Sequence, residues 1–251
     1  ILGALVDDLV GINAPKKLFF QFIAIVIIIK SGFIFSLSAN TYFNIAITVV
    51  FYILVINSMN LIDGIDGLST SLFILFSLSA VILSSSLSAL DVKYYILIVI
   101  FMGSIISFLF LNFPPAKIFL GDTGSQLLGW IMALSIIHLS KVIDFNSSYD
   151  KLFVFSFFSV PFYDVIIIMI RRFLCYKGTF VNKLIAIVKP DQNHIHHILL
   201  KNELSNVSAL FIILSVYMIS LILCLFSFSY KSYHFIVFAA LFLSYITFRL
   251  Y

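Results

Sequence analysis

Carboxylates and amides at short, regular spacing carry the chemistry of this chain. Asp7 and Asp8 are adjacent at the end of an apolar stretch, where like charges repel and are expensive to desolvate. A cation or a proton must offset them. The pair suits a base beside a metal- or phosphate-handling acid, or else an exposed helix end. In the segment 57–68, Asn57, Asn60, Asp63 and Asp66 recur every three residues. Side chains at i and i+3 share a helix face, so these oxygens line one side of a helix end, and Gly64 and Gly67 permit a bend or close approach to a ligand. Such ligands suit Mg2+, nucleotide contacts or both; a polar loop with turn-forming Asp-Gly pairs is the bland alternative. In the segment 112–125, Asp122 lies between Gly121 and Gly124, just after Asn112, Pro114, Pro115 and Phe119. Thr123 or Ser125 is expected to cap the helix that follows, whose N-terminus favours a phosphate or carboxylate.

His194, His196 and His197 fall within four residues, beside Asp191, Gln192 and Asn193. A histidine cluster serves metal, phosphate or proton transfer. With no cysteines nearby and Lys177, Lys183 and Lys189 in the same connection, phosphate or sugar binding fits better than zinc. The loop 171–205 is expected to be water-exposed. Arg171 and Arg172 suit phosphate or simple topology anchoring. Asp164, inside a span, is a functional candidate or the partner of a nearby Arg or Lys.

The elements that position these residues must be membrane helices. The chain is 62% hydrophobic and 10% charged, with a mean hydropathy of +1.16, against roughly 25% charge in soluble domains. That charge cannot cover a water-facing surface, and the long continuous apolar stretches favour helices over a barrel. The expectation is an all-α polytopic transmembrane bundle. About eight spans of roughly 20 residues lie near 18–36, 42–57, 69–90, 94–113, 124–140, 152–170, 207–229 and 233–250, and residues 1–6 look like the end of another. Lys30 is expected to snorkel from within its span, and His138 and His234 to be interfacial. Cys175 and Cys224 form no disulfide framework.

Alternating the connections puts Lys16, Lys17, Lys117, Arg171, Arg172, Lys177, Lys183, Lys189, Lys201 and Arg249 on one side, with Lys93, Lys141, Lys151 and Lys231 on the other. The positive-inside rule makes the first side cytoplasmic. Asp7, Asp8, Asp63, Asp66, Asp122, Asp164, Asp191 and Glu203 fall on the same side, and Asp91, Asp144 and Asp150 on the other. Acids do not set topology, so their bias points to an active site on the cytoplasmic face.

Taken together, the Asp7-Asp8 pair, NSMNLIDGIDGL at 57–68, FLGDTGS at 119–125 and PDQNHIHH at 190–197 resemble the polyprenyl-phosphate N-acetylhexosamine-1-phosphate transferase superfamily. The His194-Ile195-His196-His197 pattern is similar to that of its N-acetylglucosaminyl-1-phosphate transferases. The resemblance implies a bacterial cytoplasmic-membrane enzyme, with 1–251 as one integral membrane catalytic domain lacking the family's first helices. It implies UDP-N-acetylglucosamine or a related UDP-sugar as donor, undecaprenyl phosphate as acceptor and UMP as product, in the first step of a cell-surface glycan. It implies Mg2+, with Mn2+ as a substitute, on Asn60 and Asp122. Asp7 would accept the proton of the lipid phosphate, with Asp8 beside the metal. Asn57, Asp63, Asp66, Asn112 and Phe119 would bind substrate, the last four at the uridine, and His194, His196 and His197 would cover the diphosphate and sugar. Membrane lipid and a homodimer are compatible partners; nucleic acid is not expected.

Direct attack by the lipid phosphate is the preferred reading of this residue set, with a covalent Asp-phosphosugar intermediate as the alternative. The rival class is a proton-coupled transporter of an anionic solute. That class puts its polar groups near mid-membrane, often in paired repeats, whereas this chain gathers them on one face.

Overall fold

The computed structural model describes residues 2–11, 13–85, 91–143, 156–176, 178–180, 182 and 194–230. The expected span 233–250, the start of the span at 152, residues Asp144, Asp150, Lys151, Lys177, Lys183, Lys189, Asp191, Lys231, His234 and Arg249 lie outside them. The described residues form helices joined by short connections: α1 (Leu2–Val10), α2 (Ala14–Lys30), α3 (Thr41–Ile62), α4 (Leu68–Ser85), α5 (Val92–Asn112), α6 (Gly121–Val142), α7 (Ser159–Cys175), α8 (Ile195–Lys201) and α9 (Asn206–Tyr230). No strand occurs among them. Five helices, α3 to α6 and α9, are long and apolar enough to cross a membrane, and the protein is a polytopic helical membrane protein.

Local signals set the boundaries. Asn13 caps α2 and Pro15 occupies its first turn, where a missing N–H costs nothing. Asn40 accepts from the Phe43 amide at 3.1 Å, and Asp91 caps α5 through the Lys93 and Tyr94 amides. The α2 helix corrects the expected span 18–36: its 17 residues, about 26 Å, end at Ser31-Gly32. Lys30, expected to snorkel from the outer half of its span, is an exposed residue at the end of α2, where its charge suits the helix dipole.

The α3 helix is the hub, packed on α2, α4, α6 and α7. It meets α6 closely because Gly129 has no side chain: a Cβ there would lie 2.8 Å from Ile56 Cα. Tyr52 and Trp130 pack beside this crossing, their tilted rings 5.5 Å apart. The α4 helix is rich in buried serines, small enough for close approach, and Ser79 and Ser84 bond back to their own helix. The start of α7 and the turn before it share a polar seam with α9: Ser159 with Ser220 at 2.7 Å, Ser156 with Cys224 at 2.8 Å, and Tyr217 donating to the Phe157 carbonyl at 2.6 Å. Both cysteines are free thiols. Alternating helix directions bring the ends of α1, α3, α5 and α7 and the starts of α2, α4 and α6 to one end of the bundle, where the polar motifs lie.

Candidate active site

At that end lies a cavity of about 310 Å3, lined by Asn60, Asp63, Gly64, Ile65, Asp66, Asn112, Phe119, Leu120, Gly121 and Asp122. The end of α3 supplies the first carboxylates. Asp63 follows the last turn of α3 and accepts from the Ser69 hydroxyl on α4. Asp66 accepts from the Ala116 amide at 3.0 Å, which ties the 63–67 turn to the loop after α5. Asn112, 4% exposed, donates to the Ile118 carbonyl at 2.9 Å and accepts from Thr70 at 3.0 Å, so it braces the wall. Phe119 is 75% exposed and presents a free ring at the rim. Asn60 reaches across to α6, donating to Asp122 at 2.9 Å and to Ser125 at 3.0 Å.

The N-terminal helices close the site. Lys17 bridges Asp7, at 2.5 Å, and Asp122. Burial works against its charge, but the bonds to Asp122 and Asp7 outweigh this and raise its pKa above the ordinary lysine value. Asp8 braces the start of α6, directly against Asp122. Its carboxylate accepts from the amides of Asp122, at 3.0 Å, and Thr123, at 2.9 Å, and from the Thr123 hydroxyl at 2.5 Å. The N-terminus of α6 is thus capped from another helix: neither Thr123 nor Ser125 caps it, and Leu120 at the cap makes no side-chain bond. Slight burial pushes the Asp8 carboxyl up, but the Thr123 and Asp122 hydrogen bonds prevail and hold it below the usual carboxylate range. Asp7, not Asp8, is the member of the pair that meets Asp122 through Lys17.

Charge remains uncompensated. Among the described residues neither Asp63 nor Asp66 has a cation within ion-pair distance. Burial, with further repulsion from Asp122 and Asp66, pushes Asp63 up to about 6 despite the Ser69 hydrogen bond. A ligand or ion bringing positive charge or donors would relieve this.

The histidine segment packs behind the cavity and is not a water-exposed cluster. His194 and His196 are 3% and 1% exposed, and His197 is half-buried. Asp164 of α7 holds the segment, accepting from the Ile195 amide at 2.9 Å and pairing with His194 Nδ1 at 2.7 Å. Of the two expectations for Asp164, a functional acid or the partner of a nearby Arg or Lys, the second is corrected in its partner, which is a histidine. His196 lies against Gly64, where a Cβ would fall 2.2 Å from its Nε2; the glycine gives room to this ring. Burial, then the neighbouring His197 and His194, pushes His196 down to about 3. It is therefore neutral near neutral pH.

The model of glycosyl transferase family 4 matches residues 1–140. The chain belongs to this family. The match runs from the Asp7-Asp8 pair through α6 and covers the cavity walls, while the histidine segment lies beyond it. Over 216 residues the chain is 34% identical to a probable undecaprenyl-phosphate N-acetylglucosaminyl 1-phosphate transferase of Bacillus subtilis (strain 168), covering 82% of this chain and 56% of that one. It is 29% identical over 229 residues to the decaprenyl-phosphate N-acetylglucosaminephosphotransferase of Mycobacterium tuberculosis (strain ATCC 25618 / H37Rv), covering 80% and 54%. An undecaprenyl-phosphate alpha-N-acetylglucosaminyl 1-phosphate transferase of Thermotoga maritima is 31% identical over 150 residues, covering 60% and 41%. The chain spans about half the length of the first two.

In this family 4 chain the cavity gathers Asn60, Asp63, Asp66, Asn112, Phe119 and Asp122, with Asp7 joined through Lys17. Asn57 stays outside the lining: it bonds Gln21 at 3.0 Å and the Ile53 carbonyl at 2.7 Å. Lys17 entered the sequence reading only as a topology charge, and Gln21 and Gln126 did not enter it. Their signal was present, as isolated polar residues in apolar helices.

Proposed function

We propose that the protein transfers N-acetylglucosamine-1-phosphate, or a related acetamido-sugar-1-phosphate, from the UDP-sugar to undecaprenyl phosphate. The reaction is set at the cytoplasmic face of a bacterial inner membrane. The observation that carries this reading is an acid-lined cavity where helix ends meet, with Lys17 between Asp7 and Asp122. A polyprenyl chain dissolves only in lipid and a UDP-sugar only in water, so a membrane-surface site is where they meet. The names of the relatives support the polyprenyl phosphate and the N-acetylglucosamine phosphate.

An oxygen of the lipid phosphate attacks the phosphorus that bears the sugar. The P–O bond to UMP breaks, and UMP leaves. Asp7 takes the proton of the attacking phosphate and releases it to the open aqueous side. Lys17 offsets the charge where the anions converge, and positioning supplies much of the rate. Asp63, Asp66, Asn112 and Phe119 receive the nucleoside, with the exposed Phe119 ring offering a stacking face. His196 supports the cavity wall at Gly64 as a neutral imidazole.

The donor set fits a hard divalent ion. Among the described residues no three His, Cys, Asp or Glu side chains converge on one point, but Mg2+ held by one or two carboxylates, waters and substrate phosphates needs no such cage. Asp122 and Asn60 would hold Mg2+ or Mn2+, which when bound neutralises the diphosphate and the departing UMP. The test is UMP release by protein purified in detergent. The expected result is release that requires the UDP-sugar, undecaprenyl phosphate and Mg2+ together. Release without lipid phosphate, or full activity in excess chelator, would contradict it.

A further inference from the structure

We propose that Gln21, Asn57 and Gln126 form a positioning layer that sets the register of α2 and so holds Lys17 between Asp7 and Asp122. The catalytic part of its test rests on the transferase reading. The three amides sit on three helices, each about one turn deeper than a residue of the ionic cluster. Gln21 follows Lys17 by four residues on α2, Asn57 precedes Asn60 by three on α3, and Gln126 follows Asp122 by four on α6. Gln21 Nε2 donates to Gln126 Oε1 at 3.1 Å and to Asn57 Oδ1 at 3.4 Å, and Asn57 Nδ2 donates to Gln21 Oε1 at 3.0 Å. The layer thus repeats, one turn below, the three-helix junction made by Lys17, Asn60 and Asp122.

The α2 helix needs such a device. Among its described side chains Gln21 and Ile25 are buried, and the others are partly or fully exposed. Apolar contact through Ile25, with Ala24, Ile28 and Ile29 partly buried against the core, is non-directional and holds height and rotation only loosely, whereas amide hydrogen bonds are directional and fix both. With no water in an apolar surround, an amide that slips a turn loses its partners outright. The layer is a poor source of plain stability: Gln126 Nε2 is buried without a partner, a cost that an apolar residue of the same shape would avoid. Register accounts for the amides. One Lys17 ammonium must reach acids on two other helices at once, so the height of its root on α2 decides whether both contacts are made.

The test is Gln21→Leu, which keeps the bulk and removes the bonds, with Gln126→Leu as the same test from the other side. Lys17 is followed by amine-reactive labelling and peptide mass spectrometry, with exposed Lys16 as internal control. The proposal expects faster labelling of Lys17 at an unchanged Lys16 rate. It expects UMP release to fall by about tenfold, with no further fall when Gln21→Leu is added to Lys17→Met. Unchanged Lys17 labelling in both variants, or an equal rate loss with and without Lys17, would overturn it. Altered labelling in a protein that releases no UMP even as wild type would sink the transferase reading and leave the positioning layer standing.

Discussion

The two ends of the same helices use similar residues to opposite effect. At the far end from the cavity, Asp91 caps α5 through two amides and lies 3.5 Å from His138 Nε2. Tyr94 stacks on that imidazole at 4.3 Å, and Lys141 donates to the Gly32 carbonyl. Each polar group there finishes a helix end. At the cavity end, Asp8 does the same for α6, but Asp63, Asp66 and Asp122 face an open space and Lys17 is held between two acids. Polar residues at a helix end are therefore not in themselves a site. A site is marked by carboxylates left facing a cavity after the capping needs are met.

Substitutions at the two ends should separate these roles. Asp122→Asn removes the acid shared by Lys17 and Asn60 and should lower UMP release by ~10^2–10^3-fold; a normal rate would remove Asp122 from the reaction. Asp164→Ala leaves His194 Nδ1 and the Ile195 amide without their buried partner. It should cost about 2–3 kcal/mol, read as a lowered Tm in detergent, and should loosen the wall at Gly64. An unchanged Tm would show the Asp164 contact to be dispensable. Asp63, raised to about 6 chiefly by burial, is protonated below that pH and ionised above it. Activity that needs the carboxylate should fall as pH drops through about 6. Removing the weaker repelling neighbour with Asp66→Asn should move that acid limb of kcat/KM slightly to lower pH, and Asp63→Asn should remove it; a limb that persists in Asp63→Asn would exclude Asp63 as its source. The smallest effect belongs to the far end: Asp91→Asn preserves a capping side chain and should leave the rate within about twofold.

Much of this was legible in the sequence where the signal is local. Long apolar runs marked the spans of α3 to α6 and α9, and the three-residue spacing after Asn57 brought Asn60, Asp63 and Asp66 to one helix end. Distance in sequence hid the rest. Lys17 meets Asp122 across 105 residues, and no local pattern distinguishes it from Lys16. Asp164 and His194 lie 30 residues apart, so a polar loop read alone looked solvated although His194 and His196 are buried. Asn57 kept the motif's spacing but lies one turn deeper, where Gln21 and not the cavity meets it. The α2 boundaries were missed because the apolar run outweighed the Asn13 cap and the Ser31-Gly32 stop.

The central claim is that the cavity end binds the donor diphosphate with a divalent ion. Equilibrium binding of UDP-N-acetylglucosamine, measured by titration calorimetry with and without Mg2+, tests it directly in the wild type, Asp122→Asn and Asp91→Asn. The account predicts Mg2+-dependent binding in the wild type and Asp91→Asn and its loss in Asp122→Asn. Equal affinity in all three proteins, with or without the ion, would contradict it.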